Sequence, residues 1–107
     1  MTRFPCPYLN REVELSEERE RHIAERHPDL LPGERHRVAT TLADPDQVRR
    51  SKRFPSARLF SRWYDDLNAG KYVVVVVVGA ADDRRNWIIT AYIARELVAG
   101  EVEWVRS

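Results

Sequence analysis

His27 follows Arg26 directly, and His22 stands four residues before Arg26, in a stretch with helical spacing. Histidine exchanges a proton near neutrality, with an unperturbed pKa of about 6.5. A neighbouring arginine favours the neutral, base-competent ring and can grip a phosphate with two donors. The pair Arg26–His27 could therefore supply a proton carrier and an oxyanion clamp. It could equally be a cationic helix end that complements the helix dipole. A metal site built from His22, His27 and His36 has no carboxylate at suitable spacing, so none is expected.

A second group lies further along. Between Gln47 and Trp63 the chain holds Arg49, Arg50, Lys52, Arg53, Arg58 and Arg62 and no acid, with Phe54, Phe60 and Trp63 among them. Basic residues with aromatics between them suit phosphate and base recognition, and RNA bound there should dissociate as salt rises. The plain alternative is a solvated, arginine-rich edge strand. Thr90 and Tyr92 lie at alternating positions in a later apolar stretch. If their face coincided with that of Arg58, Arg62 and Tyr64, one surface would hold two guanidiniums, a hydroxyl and aromatic rings. Threonine and tyrosine are also ordinary strand residues.

The elements that must carry these groups follow from periodicity. Met1–Arg11, with Pro5, Pro7 and Asn10, reads as an extended arm, and Val13 and Leu15 as a short strand. Ser16 suits a helix N-cap, with Glu17 and Glu18 at the positive end of the dipole and Pro28 closing the helix after His27. On that helix Ile23 is the only large apolar residue at its spacing, so either the helix is barely docked or its inward face holds polar groups for a purpose. A second helix is expected from Glu34 to Ala43. Alternation then predicts strands over 47–52, 57–64, 87–94 and 101–105. Tyr72 to Val78 holds six consecutive valines and reads as a central strand covered on both sides. Asp65–Gly70 reads as a turn and Ala81–Asn86 as a hairpin-type loop. The resulting class is α+β in a single domain, 1–107, with two N-terminal helices followed by an antiparallel sheet of four to five strands.

Composition narrows the function classes. With 43% hydrophobic and 33% charged residues the chain is an ordinary globular sequence of net charge +1. Its longest apolar run is much shorter than a membrane span, and the start has no apolar leader, so a cytoplasmic protein with no membrane partner is expected. Cys6 is the sole cysteine, which leaves the fold without an internal disulfide or a cysteine zinc site. No phosphate-binding loop, dinucleotide glycine motif, nucleophile elbow or carboxylate cluster is present, and no cofactor is implied.

Several strings resemble small phage- and toxin-type members of the barnase–EndoU–colicin–RelE-like nuclease group. They are Val13-Glu14-Leu15-Ser16-Glu17-Glu18-Arg19 with Arg21-His22-Ile23-Ala24-Glu25-Arg26-His27-Pro28, then Ala43-Asp44-Pro45-Asp46-Gln47-Val48, Lys71-Tyr72-Val73-Val74-Val75, Ile89-Thr90-Ala91-Tyr92 and Gly100-Glu101-Val102-Glu103-Trp104. The resemblance covers most of the chain from about residue 12. It implies a helix pair before a curved antiparallel sheet, and RNA cleavage without metal through attack of the ribose 2′-hydroxyl. The positions it matches are His22, Arg26, His27, Thr90 and Tyr92 as a catalytic set. Arg58 and Lys71 match by position and type and join Arg49, Arg50, Arg53 and Arg62 as the expected RNA-binding residues. The partners implied are RNA and a cognate inhibitor (antitoxin) protein. A non-catalytic RNA- or protein-binding module is the alternative, and a homodimer formed through an exposed sheet edge is a third use of the same fold.

Overall fold

The computed structural model describes residues 1–79 and 85–107. Alternation starts at the first residues. Along β1 (Thr2–Cys6) Phe4 and Cys6 are buried, and along β2 (Arg11–Leu15) Val13 and Leu15 are buried. Between them Pro7–Leu9 form one 3-10 turn, and Asn10, at φ 56, takes the left-handed conformation that reverses the chain. The expected arm is thus an antiparallel hairpin pairing Thr2 with Leu15 and Cys6 with Arg11. Pro5 is tolerated because β1 is an edge strand.

Helix α1 (Glu17–Arg26) starts where Ser16 accepts a hydrogen bond from the Arg19 amide at 3.1 Å, with Glu17, Glu18 and Glu20 in its first turn. Ile23 is its one buried residue, as its sparse apolar stripe implies. Helix α2 (Arg35–Ala43) buries Val38, Thr41 and Leu42. Five strands follow: β3 (Gln47–Arg50), β4 (Ala57–Tyr64), β5 (Lys71–Gly79), β6 (Asn86–Ala94) and β7 (Glu101–Val105). The expected hairpin loop at 81–86 lies outside the described residues except at its end, where Asn86 opens β6.

Among the described residues the sheet has seven strands, in the order β1-β2-β6-β5-β4-β3-β7. All neighbours are antiparallel except β2 and β6, which run parallel and meet at Glu14 and Trp87. Three expectations change accordingly. The strands number seven rather than four or five, because the proline-bearing N-terminus joins the sheet. The sheet is mixed rather than antiparallel. The helices follow a hairpin rather than opening the chain.

β5 takes the middle position and is hydrogen-bonded on both edges. Val73, Val75 and Val77 join the core with Phe60, Ile88, Ala91, Ile23, Val38 and Leu42. Val74, Val76 and Val78 point to the other face. There Val74 is buried while Val76 and Val78 are only half-buried, so the second cover expected for the valine run is partial. In β6 a bulge between the partners of Val76 and Val77 skips Ile89 and turns Ile88 and Ala91 to the same core. The strict alternation expected over 87–94 fails at that residue.

A charge placed in the β5 core has no partner among these apolar neighbours. Val75→Asp should therefore cost several kcal/mol and leave the chain insoluble or unfolded. Circular dichroism and the soluble yield measure this; a soluble variant with wild-type melting would refute the central placement.

Candidate active site

The β3–β4 register sets Arg50 directly opposite Arg58 on the core side of the sheet. Like charges facing across a strand pair repel, so an anion is needed between them. Glu103 supplies it. Arg50 Nε donates to Glu103 Oε1 at 2.9 Å, and Arg58 Nε donates to Oε2 at 2.9 Å. The Tyr8 hydroxyl also donates to Oε2, at 2.5 Å, and Arg50 Nη1 donates to the Pro55 carbonyl at 2.8 Å.

A backbone irregularity delivers that carboxylate. Val48 pairs with Trp104 and Arg49 with Val102, so Glu103 is the extra residue of a β-bulge in β7. Bulges commonly redirect a side chain in this way. Gly100 makes the approach feasible. It sits at φ +80, and a Cβ there would stand 2.7 Å from the Arg50 carbonyl oxygen. Tyr8 is held edge-on to Phe60 and tilted against Trp104, each with ring centroids 5.8 Å apart.

The electrostatics follow from this packing. Burial alone would raise the Glu103 carboxyl, but the hydrogen bonds from Tyr8, Arg58 and Arg50 outweigh it and pull the group down to about 2. Burial, together with the hydrogen bond to Glu103 and that residue's charge, pushes the Tyr8 phenol up to about 12. The cluster is thus a carboxylate, a retained phenolic proton and two guanidiniums. The Glu103 side chain is 23% exposed, so the group remains open to solvent.

The expected site residues are distributed differently. Arg58 and Arg62 lie in register with Val77 and Val73, on the helix side, whereas Thr90 and Tyr92 pair with Val76 and Val74, on the far side. The two groups do not share a face, because the β4–β5 and β5–β6 registers assign them to valines of opposite parity. His27 and Tyr92 do come together, with ring centroids 6.1 Å apart, where α1 lies against β6. Arg26 is exposed, and His22 lies in a groove on α1 with Glu18, Arg19, Arg21 and Glu25. His36 sits on α2 beside Glu34, 3.7 Å away. Among the described residues no three His, Cys, Asp or Glu side chains converge as metal ligands.

Most of the basic strip already has protein partners. Arg49 donates to the Leu97 carbonyl at 3.1 Å and to Gln47 at 2.7 Å. Arg62 donates to the Asp44 carbonyl and carboxylate at 2.6 and 3.0 Å. Lys71 donates to the Asn68 carbonyl at 2.6 Å, stapling its own turn. Arg53 is exposed, as is Phe54 beside it. Sequence reasoning therefore included Arg50 and Arg58 but missed Tyr8 and Glu103. These two are 95 residues apart, and only the bulge and the N-terminal turn unite them.

Glu103 also has a pH signature. Its carboxyl is depressed in the fold, so the unfolded chain binds the extra proton. The stabilisation it gives is present above its ordinary value of 4.5 and is lost as pH falls toward about 2. The melting-temperature gap between wild type and Glu103→Gln should be largest at neutral pH and close over that interval. A gap independent of pH would mean that the carboxylate is not held as described.

In comparisons with protein-family models, curated proteins and solved structures, the chain finds no match.

Proposed function

We propose that the chain is a metal-independent endoribonuclease whose reaction centre is Glu103 with Tyr8, Arg50 and Arg58. The observation that carries this reading is the carboxylate held between two opposed guanidiniums and a phenol on the helix side of the sheet, at a point still reached by solvent. The non-bridging oxygens of a phosphodiester match the geometry that arginine prefers in a carboxylate. RNA would take the place of Glu103 between Arg50 and Arg58. Freed from those donors, Glu103 regains basicity and accepts the proton of the ribose 2′-hydroxyl. The 2′-oxygen then bonds to phosphorus, Tyr8 gives its proton to the departing 5′-oxygen, and the P–O5′ bond breaks. The arginines stabilise the charge that builds on the pentacoordinate phosphorus. Exposed Phe54 and Trp104 offer stacking surfaces for neighbouring bases. A cognate inhibitor protein would act by placing an acidic side chain on the same two arginines.

Purified protein incubated with RNA in EDTA should yield 2′,3′-cyclic phosphate ends. Glu103→Gln should lower the rate by about 10²-fold or more, the scale of a lost acid–base group. His27→Ala tests the histidine centre suggested by the resemblance: a rate unchanged in His27→Ala but lost in Glu103→Gln assigns the chemistry to β7, and the reverse assigns it to α1 and Tyr92. Full activity in both variants would refute both centres.

A second reading, a non-catalytic RNA- or protein-binding module, is favoured by one observation: Arg49, Arg50, Arg58, Arg62 and Lys71 all already hold protein acceptors. It predicts salt-sensitive RNA or protein binding with no cleavage.

A further inference from the structure

The two edges of the sheet differ in how they meet solvent. β1 is protected by Pro5, which offers no N–H, and by Arg3 and Pro5 on its exposed positions. β7 has neither proline nor lysine, and its outer edge pairs with no strand among the described residues. The charge of Glu103, which could discourage association, is turned inward to Tyr8, Arg50 and Arg58. What β7 leaves outside is mainly apolar, apart from Glu101, whose exposed carboxylate lies 3.7 Å from the Lys52 ammonium. Val102 and Val105 are 53% and 54% exposed, and Val98, in the preceding loop, is 83% exposed.

The faces of β7 are set by its pairing with β3. Val102 and Val105 align with Arg49 and Gln47 on the far side, while Glu101 and Trp104 align with Arg50 and Val48 on the helix side. Glu103 joins the helix side through its contacts with Arg50 and Arg58. Arg106, whose guanidinium meets Asp44 and Asp46, continues the strand by one residue. Directly opposed residues of an antiparallel ladder must share a face. For two copies of this strand, the bulge then selects one register along its whole length. Val102 faces Val105, Glu103 faces Trp104, and Glu101 faces Arg106, each pair occurring twice about the two-fold axis. A slip of one residue sets Val102 or Val105 against a helix-side residue. A slip of three in one direction sets Glu101 against Glu103, a like-charge pair, and in the other leaves only Trp104, Val105 and Arg106 paired.

From this self-complementarity we infer that β7 is a homodimer interface, joining two copies of the chain edge to edge into one continuous sheet. The occupant that fits is a second copy, because the strand supplies both members of each apolar and each charged pair. The interface does not depend on the proposed activity. It brings Trp104 of the second copy opposite Glu103, beside the cluster of Tyr8, Arg50 and Arg58.

Sedimentation equilibrium of the intact chain tests the inference. Wild type should be dimeric. Val102→Lys, at an exposed position, should be monomeric with an unchanged circular dichroism spectrum. Glu101→Arg and Arg106→Glu should each weaken the dimer by roughly tenfold, since each places two like-charge pairs across the axis. An equimolar mixture of those two variants restores both opposite-charge pairs and should recover a heterodimer near wild-type affinity. A monomeric wild type would overturn the proposal, including the case in which β7 takes up an added foreign extended peptide instead. So would a dimer indifferent to Val102→Lys, or a mixture of charge variants that fails to recover although both variants are folded.

Discussion

β5 is hydrogen-bonded along both edges, and its alternate valines are sealed against α1 and α2, so the neighbouring strands take their register from it. The parity of that strand has consequences well beyond packing. Val73, Val75 and Val77 fix Arg62, Phe60 and Arg58 on the helix side, while Val74 and Val76 fix Tyr92 and Thr90 on the other. A slip of one residue at β5 would exchange the two sets and expose the core. Six valines in a row make such a slip chemically cheap within the strand itself. The neighbours remove the ambiguity: Phe60 fits only the core side, and the bulge at Ile89 lets Ile88 and Ala91 both reach it.

The strands and helices that rest on strong local signals were legible in the sequence. Ser16 before two glutamates marked the start of α1, Pro28 marked its end, and alternation marked β4 over its observed span. The uniform valine run marked the middle of the sheet. The N-terminal hairpin was obscured because Pro5 and Pro7 argue against a strand, and they do so correctly for any position except an edge. The parallel contact of β2 with β6 leaves no local mark, since it joins distant segments at a single point.

The candidate site was less legible, for a related reason. Arg50 and Arg58 stood out in an acid-free stretch, but the acid that neutralises them comes from the other end of the chain. Sequence proximity therefore exaggerated the free positive charge of the strip. Arg49, Arg62 and Lys71 spend their donors on backbone carbonyls and on Asp44, fixing loops and strand ends. What alternation could not disclose was the bulge, which sets Glu103 and Trp104 on one side and so closes the cluster.

The joining of β3 to β7 also bears on the order in which the molecule forms. Hairpins β1–β2 and β4–β5 link residues near in sequence and close with little loss of chain entropy. β7 must return across about half the chain to reach β3, and its pairing completes the Tyr8–Glu103 contact. The cluster of Tyr8, Arg50, Arg58 and Glu103 is then one of the last things to be assembled. A nascent or partly folded chain would carry the arginines without the carboxylate between them, so its positive charge would stand unneutralised until β7 docks.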